Sequence, residues 1–309
     1  MMDQLFIPLS LVAGAVLAVQ AGANAQLSKA LQSPFAATTL QLAVGALLLL
    51  AVTALTGGIP GFDLLPTARW WHIAGGTASA FYVVSTILLL PRIGAVVSVG
   101  LLIAGQILAS TALDVFGLLG IAPTGLRAGV CAGASMVMAG AALIVWGQPG
   151  AKSVVDGQHK GWFVLALLAG GALPIQGAVN ALLREDLGGA AFAVGTVSFG
   201  VATLAMAAVL IGSLVAFSSP LPNFRGLSAL PWWGWLGGFA GATYVTTVFT
   251  AIPVIGASAT VGLTVAGQQI AAVFVDKFGW FWLPQRPVMG TRLAGVALLL
   301  TGVAVIKMV

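Results

Sequence analysis

Ten stretches of about 20 mostly apolar residues follow one another along the chain, the length a helix needs to cross a bilayer. They lie near 5–28, 34–56, 70–90, 94–113 and 126–146, then near 161–183, 189–217, 232–252, 255–275 and 290–308. Turn formers separate them: Ser33–Pro34, Gly57–Gly58–Ile59–Pro60–Gly61, Pro91, Pro123, Ser219–Pro220, Pro231, Pro253 and Pro284. Only 6% of the 309 residues are charged and 60% are hydrophobic, against about 25% charged in a soluble domain. A chain with so little charge cannot cover a soluble core. It reads as an all-α polytopic membrane protein of ten transmembrane helices.

The chain also repeats itself. Residues 11–30 and 167–186 share eight identities at an offset of 156, among them Gly14/Gly170, Gln20/Gln176 and Asn24/Asn180. From Trp70 onward the offset is 162. It pairs Trp70–Trp71 with Trp232–Trp233, Tyr82 with Tyr244, Pro91 with Pro253, Gly105–Gln106 with Gly267–Gln268, and Asp114 with Asp276. Residues 1–146 form a first five-helix unit and 161–309 a second. The polar segment 147–160 links them. A unit of five spans enters on one side of the membrane and leaves on the other, so a fused second copy sits inverted. Inverted repeats are the architecture of secondary transporters, with the site near the midplane. Duplication that merely enlarges a scaffold is the competing reading.

Few polar groups fall inside the apolar stretches. Gln20 and Asn24 are four residues apart, on one helical face, as are Gln176 and Asn180. Tyr82, Tyr244, Gln106 and Gln268 fall near the middle of their spans. If these spans meet, they line a path with groups that both donate and accept, which suits a neutral or zwitterionic metabolite. The alternative is that each amide bonds a neighbouring helix, for about 0.6 to 2 kcal/mol. Pro174 is expected to interrupt the sixth span and free a carbonyl beside this site. The small-residue spacings Gly129/Gly133, Gly171/Ala175 and Gly237/Gly241 suit close helix approach.

All seven acidic residues, Asp3, Asp63, Asp114, Asp156, Glu185, Asp186 and Asp276, fall at span ends or in loops. Asp114 and Asp276 are the acidic pair that the duplication kept. They read either as helix-end residues paired with Lys277 or an arginine, or as a gate pair or proton carrier. His72 lies near an interface and His159 in the linker, so no metal site or catalytic set can be assembled and no cofactor is expected. No phosphate-binding loop of the GxxxxGK[ST] type is present. Cys131 reads as a small packing residue. The first span lacks a basic start and a cleavage site, so it reads as retained.

The net charge of +5 is carried by scattered Lys and Arg, without the stripe that nucleic acid requires. Arg69, Arg127, Arg184 and Lys307 fall on the N-terminal side, four against eight on the other. By the positive-inside rule the linker is cytoplasmic and both termini lie outside. The expected partners are a small-molecule substrate and membrane lipids, with a homodimer left open.

The Gln-x-x-x-Asn helix opening each half, the Pro-x-Ile-Gly-Ala turn, the Gly-Gln after it and the closing Asp-x-Phe-Gly together resemble the YdcZ-like family of the drug/metabolite transporter superfamily. The resemblance covers residues 5–146 and 161–308. It implies a bacterial inner-membrane transporter with the ten-helix fold of that superfamily, in its fused antiparallel form, and no enzymatic activity. Small multidrug resistance proteins of the same superfamily carry a membrane-embedded glutamate in the first span, where this chain has Gln20. Three functions stand: a transporter or facilitator of a small metabolite, a proton-coupled exporter using Asp114 and Asp276, and an intramembrane enzyme or lipid-handling scaffold.

Overall fold

The structure, a computed structural model, describes residues 2–146, 160–217, 219–283, 285 and 290–308. Linker residues 147–159, with Asp156 and His159, lie outside the described residues, as do Pro284 and the side chains of Asp3, Arg292 and Lys307.

Helices follow the apolar stretches closely. They are α1 (Met2–Leu31), α2 (Pro34–Leu55), the short α3 (Trp70–Ile73), α4 (Thr77–Phe116), α5 (Ala128–Trp146), α6 (Lys160–Asp186), α7 (Ala191–Ala216), α8 (Leu236–Ile255), α9 (Ala257–Phe278) and α10 (Gly290–Met308). No strand occurs among the described residues. Eight segments are long and apolar enough to span a membrane, because α4 supplies two, Trp70–Leu89 with α3 and Val97–Phe116. Two shorter apolar helices, Ala128–Ile144 and Leu293–Ile306, lie within α5 and α10. The chain is an all-α polytopic membrane protein.

Helix ends follow local chemistry. Ser33 caps α2 by accepting from the Ala36 N–H at 3.2 Å, and Pro34 fills the first helical position, where no N–H is needed. Trp70 and Trp232 are 78% and 76% exposed at the head of their spans, where an amphipathic ring suits the membrane surface.

Pro91, Pro174 and Pro253 do not break the helices where the sequence suggests. Helix α6 runs through Pro174 without interruption, contrary to expectation. A proline removes one N–H and bends a helix, but the surrounding spans hold the remaining bonds in register. The breaks come instead three residues after Pro91 and Pro253. Gly94 has φ 75° and ψ 158°, Gly256 has φ 86° and ψ 159°, and only glycine adopts this conformation without strain. Gly256 separates α8 from α9, and Gly94 makes the equivalent turn inside α4.

Crossings between helices repeat at the same offsets. A Cβ on Gly14 would lie 1.9 Å from the Thr264 carbonyl oxygen, and one on Gly267 would lie 1.9 Å from that of Leu11. The counterparts, Gly170 against Leu102 and Gly105 against Leu167, stand at 2.1 Å each. Thus α1 crosses α9 backbone to backbone, as α6 crosses the second part of α4. Helices α5 and α10 meet at Gly133 against Gly302 and at Gly140 against Gly295. Such contacts replace the hydrophobic drive that lipid does not supply. Cys131, expected to be packed, is exposed on α5, on a surface that lipid would cover.

Candidate functional site

The polar side chains of the spans fall in two groups, one where α4, α6 and α7 meet and one where α1 meets α8. On α6, Gln176 and Asn180 lie on one face and are both buried. Ser79 of α4 donates to Gln176 Oε1 at 2.8 Å. Ser198 of α7 accepts from Gln176 Nε2 at 3.2 Å and from Asn180 Nδ2 at 3.0 Å. Two hydroxyls and two amides so tie three helices together. Asn180 Oδ1 is left buried without a hydrogen-bond partner, seated against Gly75.

The first-half copy is set differently. Gln20 and Asn24 on α1 are only half-buried. Gly241 of α8 stands where Ser79 stands in the other half, and a Cβ there would lie 2.8 Å from Gln20 Nε2. The missing hydroxyl leaves the Gln20 amide without the donor that Gln176 has. Asn24 Oδ1 is buried and unbonded, like its counterpart Asn180 Oδ1. Two buried amide oxygens without donors, at equivalent positions, can each accept a hydrogen bond from an arriving molecule.

Tyr82 lies one helical turn beyond Ser79 and Tyr244 one turn beyond Gly241. Tyr244 is buried and packs with Ala13, Ala178, Val248 and Ile252. Tyr82 packs with Leu89, Ile93 and Leu102. Gln106 is buried and Gln268 half-buried, each one residue past a glycine crossing.

Asp114 does something else. Its carboxylate oxygens accept from the Ala257 and Ser258 N–H groups at 2.7 Å each, so it caps the N-terminus of α9. This replaces the expected pairing with Lys277 or an arginine. A carboxylate suits the free N–H groups and positive dipole end of a helix. It is 5% exposed, within the protein rather than at its surface. Asp276 is half-buried and has a partner of its own. Among the described residues no three His, Cys, Asp or Glu cluster as metal ligands would.

Ser79 and Ser198 were not apparent from the sequence. Ser79 shares a helical face with Tyr82, which is the one signal that was available for it. Ser198 carried none, because hydroxyls are common in spans and usually bond their own helix.

A sequence profile of the family described as "Putative inner membrane exporter, YdcZ" matches residues 5–143 and 161–305. The chain belongs to the YdcZ family. It is accordingly a multi-pass inner-membrane transporter. "Inner membrane protein YdcZ" of Escherichia coli (strain K12) is 27% identical over 135 residues, which is 43% of this chain and 90% of that protein. That relative thus matches over nearly its full length while spanning less than half of this chain. A solved structure described only as "Crystal structure of protein" superposes with a TM-score of 0.67 at 17% identity. It covers 99% of this chain and 96% of its own, and at this identity the likeness shows the fold.

Proposed function

We propose that this YdcZ-family protein exports a small neutral or zwitterionic metabolite by alternating access, with residues 1–146 and 161–309 as two inverted halves. The observation that carries the reading is the repetition of geometry at fixed offsets. The glycine breaks at 94 and 256 and the reciprocal crossings of α1 with α9 and of α6 with α4 recur in register. The family description supports the outward direction. The substrate site is Gln20, Asn24, Tyr82 and Gln106 with Gln176, Asn180, Tyr244 and Gln268. Its open side is α1, where the amides are half-buried, while Gln176 and Asn180 hold α6 to α4 and α7. Amides and phenols without a carboxylate favour an uncharged or internally balanced solute over a cation. By the charge count the linker is cytoplasmic and the termini are periplasmic.

A thermal-shift screen of the purified protein against a metabolite library tests this, since a ligand bound only by the folded state raises its apparent stability. Neutral or zwitterionic hits should lose their shift in Gln20→Ala and in Tyr244→Phe. Hits confined to organic cations, or unaffected by both substitutions, would overturn the assignment. The competing use of Asp114 as a proton carrier is disfavoured because both of its oxygens already accept N–H bonds.

A further inference from the structure

His72 begins the third apolar stretch and Asp186 ends the sixth, 114 residues apart, yet His72 Nδ1 is bonded directly to Asp186 Oδ2. The side chains are 5% and 26% exposed. Trp71 lies edge-on against the imidazole, with ring centroids 3.9 Å apart at 77°. The other ring nitrogen, Nε2, is buried without a hydrogen-bond partner. With Nδ1–H donated to the carboxylate, Nε2 carries an unused lone pair. A proton taken up there turns a hydrogen bond to a neutral ring into a charge-assisted pair, which is shorter and stronger.

Few other charges bear on this contact. Among the elements packed around it, Asp63 lies on the segment Ile59–Thr67, Arg69 just ahead of α3, and Arg184 and Glu185 on α6. Asp63, Arg69 and Glu185 are exposed, and Arg184 donates to the Gly189 carbonyl. Helix α7 contributes no ionisable residue.

The repeat makes the pair unusual. Gly234 stands at the position equivalent to His72, and Ala30 at that equivalent to Asp186. There the joint is made by backbone: Gly226 sits against the Ala30 carbonyl, and the Asn223 N–H donates to Leu31 O at 2.9 Å. One of the two equivalent joints therefore holds a titratable pair and the other does not. Granted inverted halves, on which this inference depends, the two joints lie at opposite membrane faces.

We propose that His72 and Asp186 are the proton-binding site of the transporter, and that proton uptake at Nε2 fastens α3 of the first half to the end of α6 in the second. Release of the proton loosens that face. Histidine is the side chain suited to such a change between about pH 5 and 8. In the orientation proposed, this joint is periplasmic, so it responds to protons from outside.

The test needs no substrate. Only two histidines are present, so in His159→Ala protein in lipid nanodiscs the imidazole NMR signal belongs to His72 alone. It should move with pH across that interval. In a Cys131→Ser background, spin labels at the exposed positions 69 and 185 should move apart as the pH rises over the same interval. Asp186→Asn should keep the moving imidazole signal and lose the distance change, and His72→Gln should lose the distance change. An imidazole signal constant from pH 5 to 8, or a distance change that persists in His72→Gln, would overturn the proposal. Neither readout depends on a ligand, so a failed metabolite screen and a failed latch remain distinguishable.

Discussion

Ser79 donates a 2.8 Å hydrogen bond to Gln176 across the boundary between the two halves of the chain. At the equivalent place in the other half, Gly241 faces Gln20 and offers no such donor. One of two repeated amide pairs has become a structural tie, and its copy keeps free hydrogen-bonding capacity.

This asymmetry separates the effects of two like substitutions. Gln176→Ala removes two hydrogen bonds and should lower stability by about 1 to 2 kcal/mol, in line with interhelical polar bonds. Gln20→Ala should change stability little and act on ligand binding. Thermal unfolding of both variants in the same detergent, with and without a screening hit, checks the pair. Equal destabilisation would show that both amides are ties.

Asp114 holds the start of α9 through two backbone N–H groups at 2.7 Å. Asp114→Ala leaves both donors buried and should cost about 1.5 to 3 kcal/mol, the range for hydrogen bonds to charged groups. Asp114→Asn should recover part of this, since its amide oxygen still accepts one N–H. Hydrogen exchange at Ala257 and Ser258 should accelerate in both variants.

The glycine crossings predict a steep positional contrast. A methyl on Gly14 or Gly267 would sit 1.9 Å from a backbone carbonyl oxygen, so α1 and α9 would have to separate. Gly14→Ala and Gly267→Ala should each cost about 1 to 3 kcal/mol, as overpacking does. Gly200 and Gly212 have nothing within 4 Å of an added Cβ, and alanine there should be tolerated. Monodispersity on size exclusion and the unfolding midpoint report the difference.

Gly256 turns the chain from α8 into α9 at φ 86° and ψ 159°. Gly256→Ala should cost about 1 to 3 kcal/mol through backbone strain alone. Its added Cβ would also stand 3.3 Å from Asp114 Oδ2, close enough to disturb the cap. Combining Gly256→Ala with Asp114→Ala should therefore cost less than the sum of the two changes. Strict additivity in a double-mutant cycle would show that turn and cap act independently.

Much of this molecule is legible in its sequence. The apolar stretches locate the helices to within a few residues, and self-comparison finds the equivalent glycines that the structure then places at matching breaks and crossings. Pro174 was misleading because proline is a local signal, whereas continuity of a buried helix depends on the spans around it. Asp114 was placed correctly at a helix end, but the partner expected for it was a side chain, and a helix N-terminus leaves no mark of which carboxylate will reach it. His72 and Asp186 each looked like an ordinary span-end residue.

By itself the sequence determined that the chain is a bundle of membrane-crossing helices with repeated polar positions. Lipid forces that outcome, because each backbone group must be satisfied within its own segment, so a long apolar run has helix as its one solution. Only the tertiary structure decided which polar groups meet. Ser79 finds Gln176 across 97 residues, His72 finds Asp186 across 114, and Asp114 reaches Ala257 across 143. Helical spacing says which face a side chain shares, and says nothing about the helix that will pack against that face.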